Sequence, residues 1–336
     1  MGMKFMTFLW LVMFLVNNGV EGGEGGQLAF DFYYESCPAA EKIVRRIVEI
    51  AVAKDPRMAA SVLRLHFHDC FVMGCDASLL LDSNGDISSE KQAGPNLNSL
   101  RGFEVIDEIK YVLEEACPGV VSCADILAMA ARDAVLLRGG PGWGVYLGRR
   151  DSLTASFSGA NKFIPLPNSS LPTLISNFKQ QGLDIVDLVT LSGSHTMGEA
   201  RCTSFRQRIY DDYSEEHYQY HHHKRDKTYR RALRSMCPPT SGRDNSLAPL
   251  DFATPLRFDN HYFLNIIQGK GLLISDNVLL VDHDIHWEIR KLVFAYAYDQ
   301  DFYFDSFAKS MVKMGNINVI TGSQGEIRKN CRFINT

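Results

Sequence analysis

Apolar residues recur at three- and four-residue steps along almost the whole chain, and almost nowhere at every second position. That period predicts helices with one buried face. In "EKIVRRIVEIAVAKD" it places Ile43, Ile47 and Ala51 on one stripe of a helix that ends before Pro56. "RMAASVLRLHFHDCF" resumes the pattern and predicts a helix over 57–71. "LRGFEVIDEIKYVLEEACPG" runs to a Cys-Pro-Gly stop. "SCADILAMAARDAVLLRGG" opens with Ser122 and Asp125 in capping-box spacing and closes on Gly139 and Gly140. The same period returns in "LPTLISNFKQQG", "DIVDLVTLSG", "DNHYFLNIIQGKG", "DIHWEIRKLVFAYA" and "DSFAKSMVKMG". The expected fold class is therefore all-α, with no repeat and no low-complexity linker. The loop-like "SGANKFIPLPNSSLP" (158–172) is the best boundary between two halves. The polar "HYQYHHHKRDK" (217–227) reads as a solvated insertion rather than a metal site.

The N-terminus departs from this pattern. One positive charge at Lys4 precedes the apolar "FMTFLWLVMFLV", and small residues follow in "NNGVEGGEGGQL". This predicts a secretory signal over about 1–26, with the mature chain starting near Gln27. The run is short for a membrane span, and no second one of spanning length follows. A secreted chain changes the meaning of its eight cysteines, which then favour disulfides. Eight cysteines allow about 105 pairings, so spacing alone does not choose among them. No C-x-x-C pair suggests a zinc ribbon or a thioredoxin-like site. "NSS" makes Asn168 an N-glycosylation acceptor. With 336 residues the chain can bury a large core, and its net charge of −4 gives no reason to expect nucleic acid or an acidic membrane as partner.

The densest chemistry lies in "RLHFHDCFVMGCDASLLL", from Arg64 to Leu81. On a helix, His66 and His68 point about 200° apart and cannot share one metal. Arg64 and His68, four apart, do share a face, with Phe67 beside them. A guanidinium and burial both disfavour imidazolium, leaving His68 able to accept a proton. A satisfied core histidine is the plainer alternative. A metal-dependent hydrolase using His66, His68 and Asp69 is another, against which the helix counts. Past the helix, Asp69, Asp76 and Ser78 offer hard oxygens in a loop bounded by Cys70 and Cys75, which suits Ca²⁺, although not with EF-hand spacing. In "DIVDLVTLSGSHTMGEARC" a helix capped by Asp184 breaks at Ser192 and Gly193, with His195 at the break. "LDFATPLRFDN" spaces Asp251, Thr254 and Asp259 as a second oxygen-rich loop, and "GLLISDN" sets Asp276 in an apolar segment.

These motifs, with "EKQAGPNLNSLRGFEVID", "LPNSSLPTLISNF" and the terminal "GEIRKNCRFIN", give the mature chain a resemblance to the secreted plant haem peroxidases of the guaiacol type (class III). The resemblance implies one domain over 27–336, with two helical halves sandwiching one haem b. The distal half would cover about 27–157 plus the C-terminal segment, and the proximal half about 158–310. The haem would be noncovalent, since no C-x-x-C-H motif is present. His195 would be the proximal iron ligand and Asp276 the acceptor for its other ring nitrogen. His68 would be the acid–base residue for hydrogen peroxide and Arg64 the stabiliser of developing charge. Asn96 would fix the His68 tautomer, and Phe67 would close the cavity.

The resemblance further implies two Ca²⁺ sites. One would use Asp69, Val72, Gly74, Asp76 and Ser78, with Glu90 through water. The other would use Thr196, Asp251, Thr254, Arg257 and Asp259. Disulfides Cys37–Cys117, Cys70–Cys75, Cys123–Cys331 and Cys202–Cys237 would account for all eight cysteines. Ser61, Ser99 and Arg101, with Arg201 as a further candidate, match positions near the haem propionates. Pro165 matches the exposed haem edge where small phenolic or aromatic reductants donate electrons. The implied enzyme is a monomer, secreted to the cell wall or apoplast.

Three features depart from the family pattern. Met197 follows "HT" where a bulkier residue is common, Arg257 stands at a commonly apolar position, and 217–227 is unusual. A calcium ligand at Arg257 would be its backbone carbonyl. Intracellular relatives carry Trp at the positions of Phe67 and Leu250, which excludes them here. A calcium-stabilised protein of this fold without turnover is disfavoured by Arg64, His68, Asn96, His195 and Asp276 standing together.

Overall fold

The computed structural model describes residues 27–210, 227–239, 242–280 and 287–336. The expected signal segment and residues 217–226 of the polar insertion lie outside them. Helices α1 (Ala40–Lys54), α2 (Met58–Cys70), α3 (Phe103–Ala116) and α4 (Cys123–Leu137) come first, followed by α5 (Phe157–Phe163), α6 (Leu171–Gln180) and α7 (Ile185–Ser192). Then come strand β1 (Glu199–Arg201), α8 (Cys202–Tyr210), α9 (Lys227–Met236), strand β2 (Leu247–Pro249), α10 (His261–Ile267), α11 (Ile274–Asn277), α12 (Trp287–Tyr298) and α13 (Gln300–Gly315). The two strands pair antiparallel, so the molecule is mostly helical as its periodicity predicts.

The apolar stripe of α1 is centred one residue away from the expected one. Val44, Ile47, Val48 and Val52 are buried, while Ile43 and Ala51 flank them. Both sets share the helical period, and packing against α3 and α4 selects the branched residues between them.

Helix α2 lies on α4, with α1 and α3 beside them, while α7, α10, α12 and α13 form a second packed group. Helix α13 also reaches α2. The second group has an aromatic core in which Phe263, Tyr296 and Phe307 surround Tyr303. Gly193 ends α7 against that core. A Cβ there would stand 2.4 Å from the Tyr303 hydroxyl, so the missing side chain is what lets Tyr303 approach the backbone here. Arg57, just before α2, pairs with Glu199 of β1 at 2.7 Å and ties that helix to the small sheet.

All four disulfides form with the pairing the resemblance implies. Cys123–Cys331 fastens the C-terminal segment to the start of α4. Arg328 reinforces that junction by donating to the carbonyls of Ala77, Ser152 and Cys331.

The capping box expected on α4 is only half present. Ser122 Oγ accepts from the Asp125 amide, but the Asp125 carboxylate turns inward. It accepts from the Tyr33 hydroxyl at 2.7 Å, from the Gly148 amide at 2.7 Å and from Arg149 Nη1 at 2.7 Å. A buried guanidinium outcompetes an amide that a single hydroxyl already satisfies. Asp125→Ala would leave Arg149 charged, buried and unpaired. We expect that substitution to lower stability by about 3–5 kcal/mol, read as a fall in the urea midpoint.

Candidate active site

Helix α2 carries the first half of the site. Arg64 Nε donates to His68 Nε2 at 3.0 Å. The other side of the ring is fixed too, because His68 Nδ1 lies 2.6 Å from Asn96 Oδ1. Asn96 cannot turn its amide group the other way, since its Nδ2 donates to the Glu90 carbonyl at 2.8 Å. The proton of His68 is therefore on Nδ1, and Nε2 presents a lone pair. Arg64 is held by the carbonyls of Ser99 and Pro95 and by the Ser99 hydroxyl. Burial, and then the nearby Arg201 charge, push its pKa down to about 10, so it remains a cation at neutral pH. Burial first, and then Arg64, hold His68 well below the usual histidine range. Phe67 is half-buried and packs on Phe71 beside the His68 ring.

The second half lies in the turn after α7. Asp184 and Asp187 form a reciprocal capping box at the start of that helix. Lys313 ties both carboxylates to α13. His195 sits in the tight turn Gly193–Thr196, and its Nδ1 lies 2.7 Å from Asp276 Oδ1. Asp276 is buried in α11, and its other oxygen accepts from the Leu273 amide at 2.9 Å. The carboxylate claims the Nδ1 proton, so His195 Nε2 is left as a free donor atom for a metal. Two imidazoles, one held by a neutral amide and one by a carboxylate, suit a haem with a ligand on one face and an acid–base group on the other.

Two oxygen-rich clusters adjoin these histidines. Asp69, directly after His68, accepts from the amides of Ala77 and Leu79. Asp76, Ser78 and Glu90 are buried with it. Burial, and then Asp76, raise Asp69 well above the ordinary carboxylate range, and burial pushes Glu90 up to about 8. Neither Ser78 Oγ nor Glu90 Oε2 makes a hydrogen bond among the described residues. Carboxylates gathered this way call for a cation, and all the donors are hard oxygens, so the residues fit Ca²⁺. Gly74 in this loop has φ +130, and a Cβ would stand 2.6 Å from the Asn318 carbonyl. The loop therefore closes under the C-terminal segment, with Val72 buried alongside.

The other cluster joins Thr196, next to His195, to Asp251, Thr254 and Asp259. The hydroxyls of Thr196 and Thr254 both donate to Asp259 Oδ1 at 3.1 Å. Asp251 Oδ1 accepts from Asn265 Nδ2 at 2.8 Å. The exposed Arg257 side chain lies 3.9 Å from Asp259 through Nε. This donor set fits a second Ca²⁺.

The remaining candidates scatter. Ser61 Oγ donates to the Arg57 carbonyl, and Arg101 Nη2 pairs with Asp55 at 2.6 Å. Arg201 reaches the Leu97 carbonyl. Pro165 is half-buried, and the next residue, Leu166, lines a cavity of about 240 Å³ with the exposed Asn168 and Ser204. Met197 is buried in the main core. His66 points away from His68, toward the Cys70–Cys75 bridge and Arg149. His66, Cys70 and Cys75 bring donor atoms within 4.8 Å of one another, but both sulfurs are in a disulfide and offer no thiolate. The hydrolase alternative, which needs His66, His68 and Asp69 on one metal, loses its geometry because the two imidazoles face opposite ways.

Sequence reasoning missed Tyr262, whose hydroxyl also donates to Asp276 Oδ1, at 3.1 Å. In "DNHYFLNII" it is indistinguishable from any core aromatic.

Residues 44–299 match the family described as peroxidase. The chain belongs to that family. Peroxidase 20 of Arabidopsis thaliana is 62% identical over 330 residues, covering 97% of this chain and 98% of that one. Peroxidase 72 of the same plant is 56% identical over 317 residues, 93% of this chain and 91% of that one. Peroxidase 9 is 55% identical over 323 residues, 95% and 90%. The chain is thus a plant peroxidase, an enzyme of a haem-dependent family that reduces hydrogen peroxide. Among the described residues no helix is long and apolar enough to cross a membrane.

Both histidines of α2 bear on acid stability. Burial, and then Arg149, push His66 down to about 3. Its contribution is complete above the unfolded value near 6.5 and is lost as pH falls toward the folded value. Relative to a His66→Gln variant, we expect the peroxidase to lose about 1.4 kcal/mol per pH unit between pH 6 and 4. Urea unfolding at stepped pH reads this directly, and parallel profiles would contradict it.

Proposed function

We propose that this peroxidase binds one noncovalent haem b between α2 and the His195 turn, reduces H₂O₂ to water there, and oxidises small phenolic or other aromatic donors in one-electron steps. The observation that carries this is the His68 ring, held by Asn96 at one nitrogen and facing Arg64 with the other. The bound haem supplies the redox centre, taking two oxidising equivalents from each peroxide.

The chain's own residues supply the rest. His68 Nε2 takes a proton from one peroxide oxygen and returns it to the other, so that water rather than hydroxide departs. Arg64, fixed and charged, stabilises the negative charge that develops on the departing oxygen. Asn96 keeps the tautomer that makes this possible, and Phe67 limits the space above the haem. His195 would hold the iron through Nε2, with Asp276 making its ring more electron-donating. Each turnover then balances as one H₂O₂ and two phenols giving two waters and two phenoxyl radicals.

The donors would approach at Pro165, and Ser61, Ser99, Arg101 and Arg201 are candidates for the propionate end. Ca²⁺ at Asp69, Val72, Gly74, Asp76 and Ser78, with Glu90 through water, would brace the residue that follows His68. Ca²⁺ at Thr196, Asp251, Thr254, Arg257 and Asp259 would brace the one that follows His195. The N-terminal run and the disulfide set support secretion to the wall or apoplast as a monomeric single domain, with Asn168 glycosylated. Its two halves would be those on either side of the haem.

His68→Leu should keep the Soret band but slow the peroxide-driven spectral change by about 10³-fold or more. A rate near that of the parent would remove His68 from the acid–base role. Prolonged chelation with EGTA should lower the thermal midpoint and the rate together, with both restored by Ca²⁺ but not by Mg²⁺. An unchanged midpoint after metal analysis shows less than one Ca²⁺ per chain would contradict the bracing role.

A further inference from the structure

Asp276 Oδ1 receives two donors. His195 Nδ1 approaches it at 2.7 Å and the Tyr262 hydroxyl at 3.1 Å, while Oδ2 accepts from the Leu273 amide. We propose that Tyr262 is a positioning residue for the proximal histidine, setting through Asp276 how much negative charge reaches the His195 ring. This rests on His195 being the iron ligand, as proposed above.

A carboxylate oxygen that accepts from two donors gives less to each of them. Tyr262 therefore competes with the imidazole for the same oxygen and tempers the electron-donating character that Asp276 confers. The competition is built in, because Tyr262 cannot move aside. It is buried on α10, its ring is edge-on to Phe263 at 5.1 Å, and it stands edge-on to the His195 ring at 6.1 Å. Asp276 is equally confined, since the four-residue helix α11 turns its other oxygen back on the amide of Leu273, the residue just before it. Three groups are thus locked around one oxygen, and removing one donor changes the share of the other.

The test is made on the haem-loaded protein by resonance Raman of the ferrous iron–histidine stretch, together with the haem reduction potential. In Tyr262→Phe, His195 keeps the oxygen to itself. The stretch is expected to move to higher wavenumber and the potential to become more negative. Replacing Tyr262 with 3-fluorotyrosine, a more acidic phenol and a stronger donor, is expected to move both the opposite way. Simple loosening of the core cannot produce shifts of opposite sign. An iron–histidine band that stays in place in both proteins, or moves the same way in both, would overturn the proposal. The absence of any such band in the parent protein would instead remove His195 as iron ligand, which is a different failure.

Discussion

The hydrogen bond between His195 and Asp276 joins residues 81 positions apart, and neither end could hold its place alone. His195 lies in a single 3₁₀ turn beyond the last residue of α7, too short to hold its own geometry. Asp276 lies in a helix of four residues, far too short to be stable by itself. Each is therefore positioned by what packs around it. For His195 this is the capped and lysine-clamped α7, with Gly193 pressed on Tyr303. For Asp276 it is the Leu273 amide, the Tyr262 hydroxyl, and the hydrogen bond from the Ser275 amide to the Pro167 carbonyl. Much of the packing around α7, α10 and α11 thus serves to make two weakly structured segments meet.

The Arg64–His68 side of the site solves a different problem. Helix α2 brings Arg64, Phe67, His68 and Asp69 together by local spacing alone, and the difficulty is burial. A guanidinium, an imidazole and a carboxylate leave water within two turns of one helix. Each finds a separate remedy. Arg64 is solvated by the carbonyls of Pro95 and Ser99, and His68 remains neutral. Asp69 is turned into a loop of backbone amides beside Asp76 and Glu90, an arrangement whose remaining excess of negative charge a divalent ion would balance. His66, on the opposite side of α2, stays neutral for the same reason as His68 but faces Arg149 and a disulfide, so burial alone does not make a histidine catalytic.

This division explains what the sequence discloses. The helices, the Arg64–His68 face and the divergence of His66 all follow from the helical period, which acts within a few residues. The Asp184 cap is legible for the same reason. The meeting of His195 with Asp276 is not, since nothing local distinguishes either residue, and only the resemblance of the whole chain to a family suggested it. The half-made cap at Ser122 shows the limit from the other side. Its spacing is right, yet Arg149, 24 positions away in sequence, claims the Asp125 carboxylate. Tyr262 was hidden because a buried phenol that donates one hydrogen bond looks, in sequence, like any other aromatic on an apolar stripe.

The two imidazoles finally differ in one atom's surroundings. His68 gives its Nδ1 proton to an amide oxygen, and His195 gives its own to a carboxylate. A neutral acceptor fixes the tautomer without adding charge, so His68 Nε2 remains a modest base that can release the proton it takes. A charged acceptor pushes electron density through the ring, which suits a ligand that must stabilise an oxidised metal and has no proton to return. An amide at position 276 would have to turn its NH₂ toward either His195 Nδ1 or the Leu273 amide, so only a carboxylate accepts from both. The acceptor beside each ring, rather than the ring itself, is what sets the two imidazoles apart.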